Sequence, residues 1–197
     1  MRCALLCCAV WLGAAGAGWA TTPLESTRAT LEEVRAILES ASSHDDKLVA
    51  LSGLLRDFLD TDTMARAVLG THWSRFTAEQ QQEFLVLFRE LFRRTYVQKL
   101  LLFDNARFAY VGEEPLGGAA RVETKMITPR DEFAVTYQVR PQGDRWVVTD
   151  ITIEDLSLTR NLHRQIERLL STSSVEEVLS RMRKKYAPVG GAGKGGS

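Results

Sequence analysis

The chain has three histidines, His44, His72 and His163, in three separate stretches without ligand spacing such as His-x-x-x-His, so they offer no metal centre. It has no Gly-x-Ser-x-Gly elbow and no phosphate-cradling glycine loop; Gly117-Gly118 reads as a hairpin turn. One carboxylate stands out. Asp150 lies inside Trp146-Val-Val-Thr-Asp-Ile-Thr-Ile153, a run that alternates by twos. Strict alternation puts it on one face with Trp146 and Val148. A carboxylate in a cavity beneath a curved sheet can serve as a general base with a raised pKa. It can equally pair with a cation across the strands or hold the start of a helix. No second acid or base is placed with it, which favours the structural role.

With little to support covalent chemistry, the apolar elements carry the information. Thr77-Ala-Glu-Gln80 has the form of a capping box, and the helix it starts runs to about Leu102. At 1.5 Å per residue such a helix spans roughly 40 Å, enough to cross a sheet with room for a bend. Its apolar set, from Phe84 to Leu101, covers more than one narrow face. Before it, Leu31, Val34, Ile37 and Leu38 recur at helical spacing, as do Leu48, Leu51, Leu54, Leu55 and Phe58, and a short helix is expected over 63–69. After it come four alternating strands, over 108–111, 119–127, 132–139 and 146–153. Residues 112–118, 129–131 and 141–144 are the turns, short enough to make a meander of antiparallel neighbours. On the third strand Phe133, Val135, Tyr137 and Val139 share one face, and Ala134, Thr136 and Gln138 the other. Two helices follow, over 159–170 and 175–185, the second opened by the Ser174-x-x-Glu177 box. The expected fold is α+β: a twisted four-stranded antiparallel sheet packed with several helices around an apolar cavity. Pattern alone leaves cavity and filled core open.

The first twenty residues read as a cleaved secretory signal: Arg2, an apolar stretch from Cys3, and small residues ending in Gly18-Trp19-Ala20. All three cysteines lie within that segment, so the mature chain forms no disulfide and binds no cysteine-ligated metal. Residues 21–187 are long enough for a single domain, and the Gly-rich 188–197 reads as a disordered tail. Lys plus Arg number 25, as do Asp plus Glu, which speaks against a nucleic-acid partner. Arg181, Arg183, Lys184 and Lys185 form a basic helix end, suited to the helix dipole or to an acidic partner.

Three segments carry a family resemblance. Phe58-Leu-Asp-Thr-Asp-Thr-Met-Ala-Arg-Ala-Val-Leu-Gly70 is one, and Trp73 followed by Thr77-Ala-Glu-Gln80 and 84–96 is another. Trp146 to Leu158, followed by Asn161 and Gln165, is the third. In order and spacing they resemble the MlaC family of periplasmic phospholipid-binding proteins, auxiliary components of lipid ABC transporters. The resemblance implies a deep apolar cavity and a carrier that takes a phospholipid by its acyl chains. Its implied partners are an inner-membrane lipid ABC transporter complex and an outer-membrane lipoprotein complex; the expected protein is periplasmic, monomeric or weakly associating. No catalytic residue, metal or cofactor is implied; the lipid is cargo. Two positions depart from the family pattern: Asp155 stands where the family has Gly, and Asn161-Leu162-His163 where it has Asn-Tyr-Arg.

Two acyl chains expose roughly 30 methylene groups, each worth about 0.8 kcal/mol on burial, so a soluble carrier needs a near-complete apolar enclosure. The candidate lining is Phe84, Phe88, Leu91, Phe92, Tyr96 and Leu100 from the long helix, with Val135, Tyr137, Val139, Ile151 and Ile153 from the sheet. A hopanoid-type cargo, a ligand-free interaction module and an enzyme built on Asp150 are the alternatives.

Overall fold

Side-chain caps open the helices of the first half. The computed structural model describes residues 21–103 and 105–187; the expected signal segment and the Gly-rich tail lie outside them. Thr22 and Glu25 form a capping box at the start of α1 (Pro23–Glu39), whose stripe of Thr27, Leu31, Val34 and Leu38 is buried. Ser43 caps α2 (His44–Phe58) and Asp60 caps α3 (Thr61–Leu69). Gly70, at φ 51°, ends α3 in a conformation that suits glycine, and a Cβ there would stand 3.1 Å from the His163 ring. A 3-10 turn (Gly70–Arg75) leads to the Thr77–Gln80 box and α4 (Ala78–Phe92). The long helix then changes winding. A π-helical turn (Arg93–Val97) separates α4 from the short α5 (Gln98–Leu100), so the expected bend is a local insertion in the helix ladder.

The sheet is antiparallel throughout, in the order β1-β2-β3-β4-β5. Its strands are β1 (Arg107–Leu116), β2 (Ala119–Ile127), β3 (Glu132–Gln142), β4 (Arg145–Ile153) and the two-residue β5 (Leu156–Ser157). The fifth strand adds to the expected four because Glu154-Asp155 folds the chain back onto β4. Two turns are also tighter than expected. Val111 bulges out of β1, pairing resumes at Gly112, and only Gly117-Gly118 is left for the turn. Likewise β3 continues through Pro141, and Gly143 at φ 64° takes the hairpin. Another bulge corrects a parity argument. Gln138 pairs with Asp150 while the adjacent Val139 pairs with Val148, which leaves Thr149 unmatched. Consecutive residues on β3 face opposite ways, so Asp150 does not share a face with Val148 as strict alternation predicts.

Helix α1 lies against β1, β2 and β4, while α2 and α3 reach β4. The free side of β4 is closed partly by β5 and partly by the chain between α2 and α3: Leu59 bridges Val148, and the Asp60 N–H donates to the Val148 carbonyl at 2.8 Å. Helix α6 (Leu158–Leu170) packs on α3 and β4, and α7 (Val175–Tyr186) on α4.

Candidate functional site

The apolar face of β3 directs Phe133, Val135 and Tyr137 towards the helices, and the register sets Ile153 opposite Val135 and Ile151 opposite Tyr137. These five side chains form the floor of a cavity of about 340 Å³. Phe108 of β1 and Met126 of β2 extend the floor, and they align with Phe133 across the strands. Leu31 and Val34 of α1 form one wall, and Leu55, Phe58 and Leu59 at the end of α2 form another. The far half of the long helix supplies Phe92, Tyr96, Val97, Lys99 and Leu100, with Phe103 just beyond it, and Leu158 completes the lining. Depth follows strand direction. Tyr137 and Val135 are buried, whereas Phe133, Ile153 and Phe108, nearer the strand ends, are half-buried and mark the mouth. Burial pushes the Tyr137 and Tyr96 phenols above their ordinary range, so both stay neutral at any physiological pH.

Seven of the eleven predicted residues come together here: Phe92, Tyr96, Leu100, Val135, Tyr137, Ile151 and Ile153. The other four do not. Phe84, Phe88 and Leu91 line a smaller space of about 190 Å³ shared with α6 and α7. Val139 is fully buried in the core at the other end of β3. The aromatic ladder of the long helix thus divides. Phe84 and Phe88 stack 6.0 Å apart in the core, and Phe92 and Tyr96, 4.7 Å apart, face the cavity. Sequence reasoning passed over the lining from α1 and α2, and over Phe108, Met126 and Phe133. Phe133 was within reach, because it shares the parity of Val135 and Tyr137.

Asp150 serves the start of α6. Its carboxylate accepts from the Ser157 hydroxyl at 2.5 Å, the Thr159 N–H at 3.1 Å and the Ile151 N–H at 2.9 Å. Ser157 in turn caps Arg160 N–H at 3.1 Å. The helix-start role is the one the geometry supports. A larger concavity of about 610 Å³ lies outside α2 and α4, but its walls include Arg56, Arg89, Glu90 and Arg93. It touches the inner cavity through Leu55, Leu59, Phe92 and Val97, which line both. The inner cavity is the better candidate for an apolar ligand, because Lys99 is the only charged side chain among its described lining residues.

The sequence matches the MlaC protein family across residues 27–184. The chain belongs to the MlaC family. The α+β fold agrees with that membership and with a solved structure of a phospholipid-binding protein from Ralstonia solanacearum in complex with a phospholipid. That protein is 22% identical, with a TM-score of 0.72 over 81% of this chain and 93% of its own. This MlaC-family member makes a left-handed turn where its sequence departs from the family pattern. Glu154 and Asp155 both adopt positive φ, 46° and 64°, so Asp155 occupies a left-handed position suited to Gly. At the other departure His163 donates through Nδ1 to the Val68 carbonyl, 2.9 Å away, and so supports the end of α3.

Proposed function

We propose that this chain is a periplasmic phospholipid carrier that buries acyl chains in the cavity between the sheet and the far half of the long helix. The observation that carries the reading is the lining itself: apart from Lys99, the described residues that line the cavity are all aliphatic or aromatic or, at Met126, a thioether. Such a surface recognises hydrocarbon and little else. Family membership supports the reading, as does the phospholipid bound by the Ralstonia solanacearum protein. The cargo passes between an inner-membrane lipid ABC transporter complex and an outer-membrane lipoprotein complex, and a cleaved signal over 1–20 exports the chain. No bond of the lipid is made or broken in this role.

The cavity as it stands holds on the order of ten methylene groups, taking each at roughly the 30 Å³ share of a water molecule. Two full acyl chains therefore require the walls to move apart or the tails to protrude. A wall that meets its neighbours through apolar side chains can make such a movement without breaking hydrogen bonds.

The deciding experiment is native mass spectrometry of the mature protein purified from an exporting bacterial host. A discrete added mass that extracts as phospholipid is expected. Ile151→Asp places a carboxylate on the cavity floor, where it cannot be hydrated once chains are bound; it is expected to lower occupancy at least tenfold while circular dichroism stays unchanged. A protein that stays lipid-free after incubation with phospholipid vesicles would overturn the carrier reading.

A further inference from the structure

We infer that Lys99 is the headgroup contact of the cavity: its ammonium pairs with the phosphate of a lipid whose chains fill the space below. The inference rests on the carrier reading and adds a recognition element to it. Tyr96, Leu100 and Phe103 follow one another at three- and four-residue spacing, and all line the cavity. Lys99 lines it too, yet its side chain is exposed, which places it where the apolar lining ends and water begins.

The other cations of the same helix are committed. Arg89 holds Asp62 through two hydrogen bonds of 2.9 and 2.8 Å, and Arg93 and Arg94 both hold Glu90. Among the described residues, no ion pair or hydrogen bond engages the Lys99 side chain. A lipid held by its chains presents its phosphodiester at the level where the apolar lining ends. An ammonium at that level gains a charge-assisted hydrogen bond without leaving water. A point charge on a flexible stem tolerates different groups beyond the phosphate, so the contact selects for phosphate rather than for one headgroup. The competing role is purely structural, a cation near a helix C-terminus that eases the helix dipole.

The two roles separate when lipids with and without a phosphate are compared. Protein stripped of lipid is loaded from vesicles containing phosphatidylglycerol, phosphatidylethanolamine and a diacylglycerol with the same chains. Native mass spectrometry then follows release of each lipid into acceptor vesicles. Lys99→Met is expected to speed release of both phospholipids roughly tenfold, the factor for a contact worth about 1.4 kcal/mol, and to leave diacylglycerol release unchanged. Lys99→Arg is expected to restore slow release, and Lys184→Met on α7 to behave as the parent protein. Equal effects on phospholipid and diacylglycerol, or none on either, would overturn the Lys99 assignment while leaving the carrier intact. Failure of the parent protein to load any of the three lipids would remove the carrier reading and this contact with it.

Discussion

At position 155 a single side chain works against the backbone it occupies. The β4–β5 turn demands left-handed conformations at Glu154 and Asp155, and two hydrogen bonds hold it: the Glu154 N–H donates to the Ala134 carbonyl at 3.0 Å, and the Glu154 carboxylate accepts from Ala134 N–H at 2.5 Å. An L-residue with a Cβ pays roughly 1–2 kcal/mol for the left-handed region, less for Asp than for a branched residue. Asp155→Gly is therefore expected to stabilise the fold by about 1 kcal/mol, read as a shift in urea midpoint at constant slope. No gain, or a loss, would show that the Asp155 side chain makes an offsetting contribution. Asp150 illustrates the opposite case, in which an isolated acidic residue suggests chemistry but is occupied by three donors.

The long helix shows how one element divides its work. Its first half, α4, buries Phe84, Leu85, Leu87 and Phe88, and α3 and α7 pack beside it. Its far end, from Phe92 through the π-helical turn at 93–97 to Leu100, faces the cavity. A π turn shifts the angular position of every later side chain, so a stripe read at constant helical spacing loses its register there. Phe84, Phe88, Leu91, Phe92, Tyr96 and Leu100 read as one apolar set, yet α6 and α7 cover the first three and the cavity lies against the last three. Beside it α2 carries Gly53 in its interior, and a Cβ there meets nothing within 4 Å. Gly53→Ala is expected to raise stability by about 0.5–1 kcal/mol through helix propensity alone. If thermal unfolding is unmoved while lipid exchange slows, Gly53 contributes flexibility to the α2 wall.

Across the whole molecule, polar ties between helices and sheet run along the strands, and the Tyr110 hydroxyl of β1 donates to the Glu32 carboxylate of α1 at 2.9 Å two residues from the cavity mouth. Asp60 caps α3, accepting from the Thr63 N–H at 3.0 Å and its hydroxyl at 2.6 Å, and also binds the Arg140 guanidinium on β3. Leu24 N–H donates to the Glu113 carboxylate on β1, and Trp146 Nε1–H to the Thr21 carbonyl. Near the mouth, side chains such as Phe103, Phe108, Phe133 and Ile153 are apolar and only half-buried. The layers are thus held by polar ties along the strands and meet at the mouth through apolar side chains. Burial works to raise the Asp60 pKa, but the Thr63 hydrogen bonds and the Arg140 charge outweigh it and leave it below the usual value. For a depressed carboxylate the stabilisation is fully present above about pH 4, the unfolded value, and disappears as pH falls through the lower folded value. Asp60→Asn is expected to cost about 2 kcal/mol at pH 7, discounted because Arg140 is partly exposed, and to flatten the decline in stability below pH 4. A variant with an unchanged acid limb would show that Asp60 does not carry this stabilisation.

Periodicity by itself determined most of the elements, because burial imposes a period of 3.6 on a helix and of 2 on a strand wherever one face is covered. The capping boxes at Thr77 and Ser174, the β2 boundaries and the shared face of Val135 and Tyr137 were all legible in this way. The three motif segments were sufficient to indicate the family, later shown by the match over 27–184. Only the tertiary structure decided which apolar faces meet one another and which surround a space. That distinction depends on α6 and α7, which cover the first half of the long helix, and on the walls from α1 and α2, which lie far from the sheet in sequence. A phenylalanine obeys the same burial rule whether its neighbour is another side chain or a cavity, so only the three-dimensional arrangement separates the two.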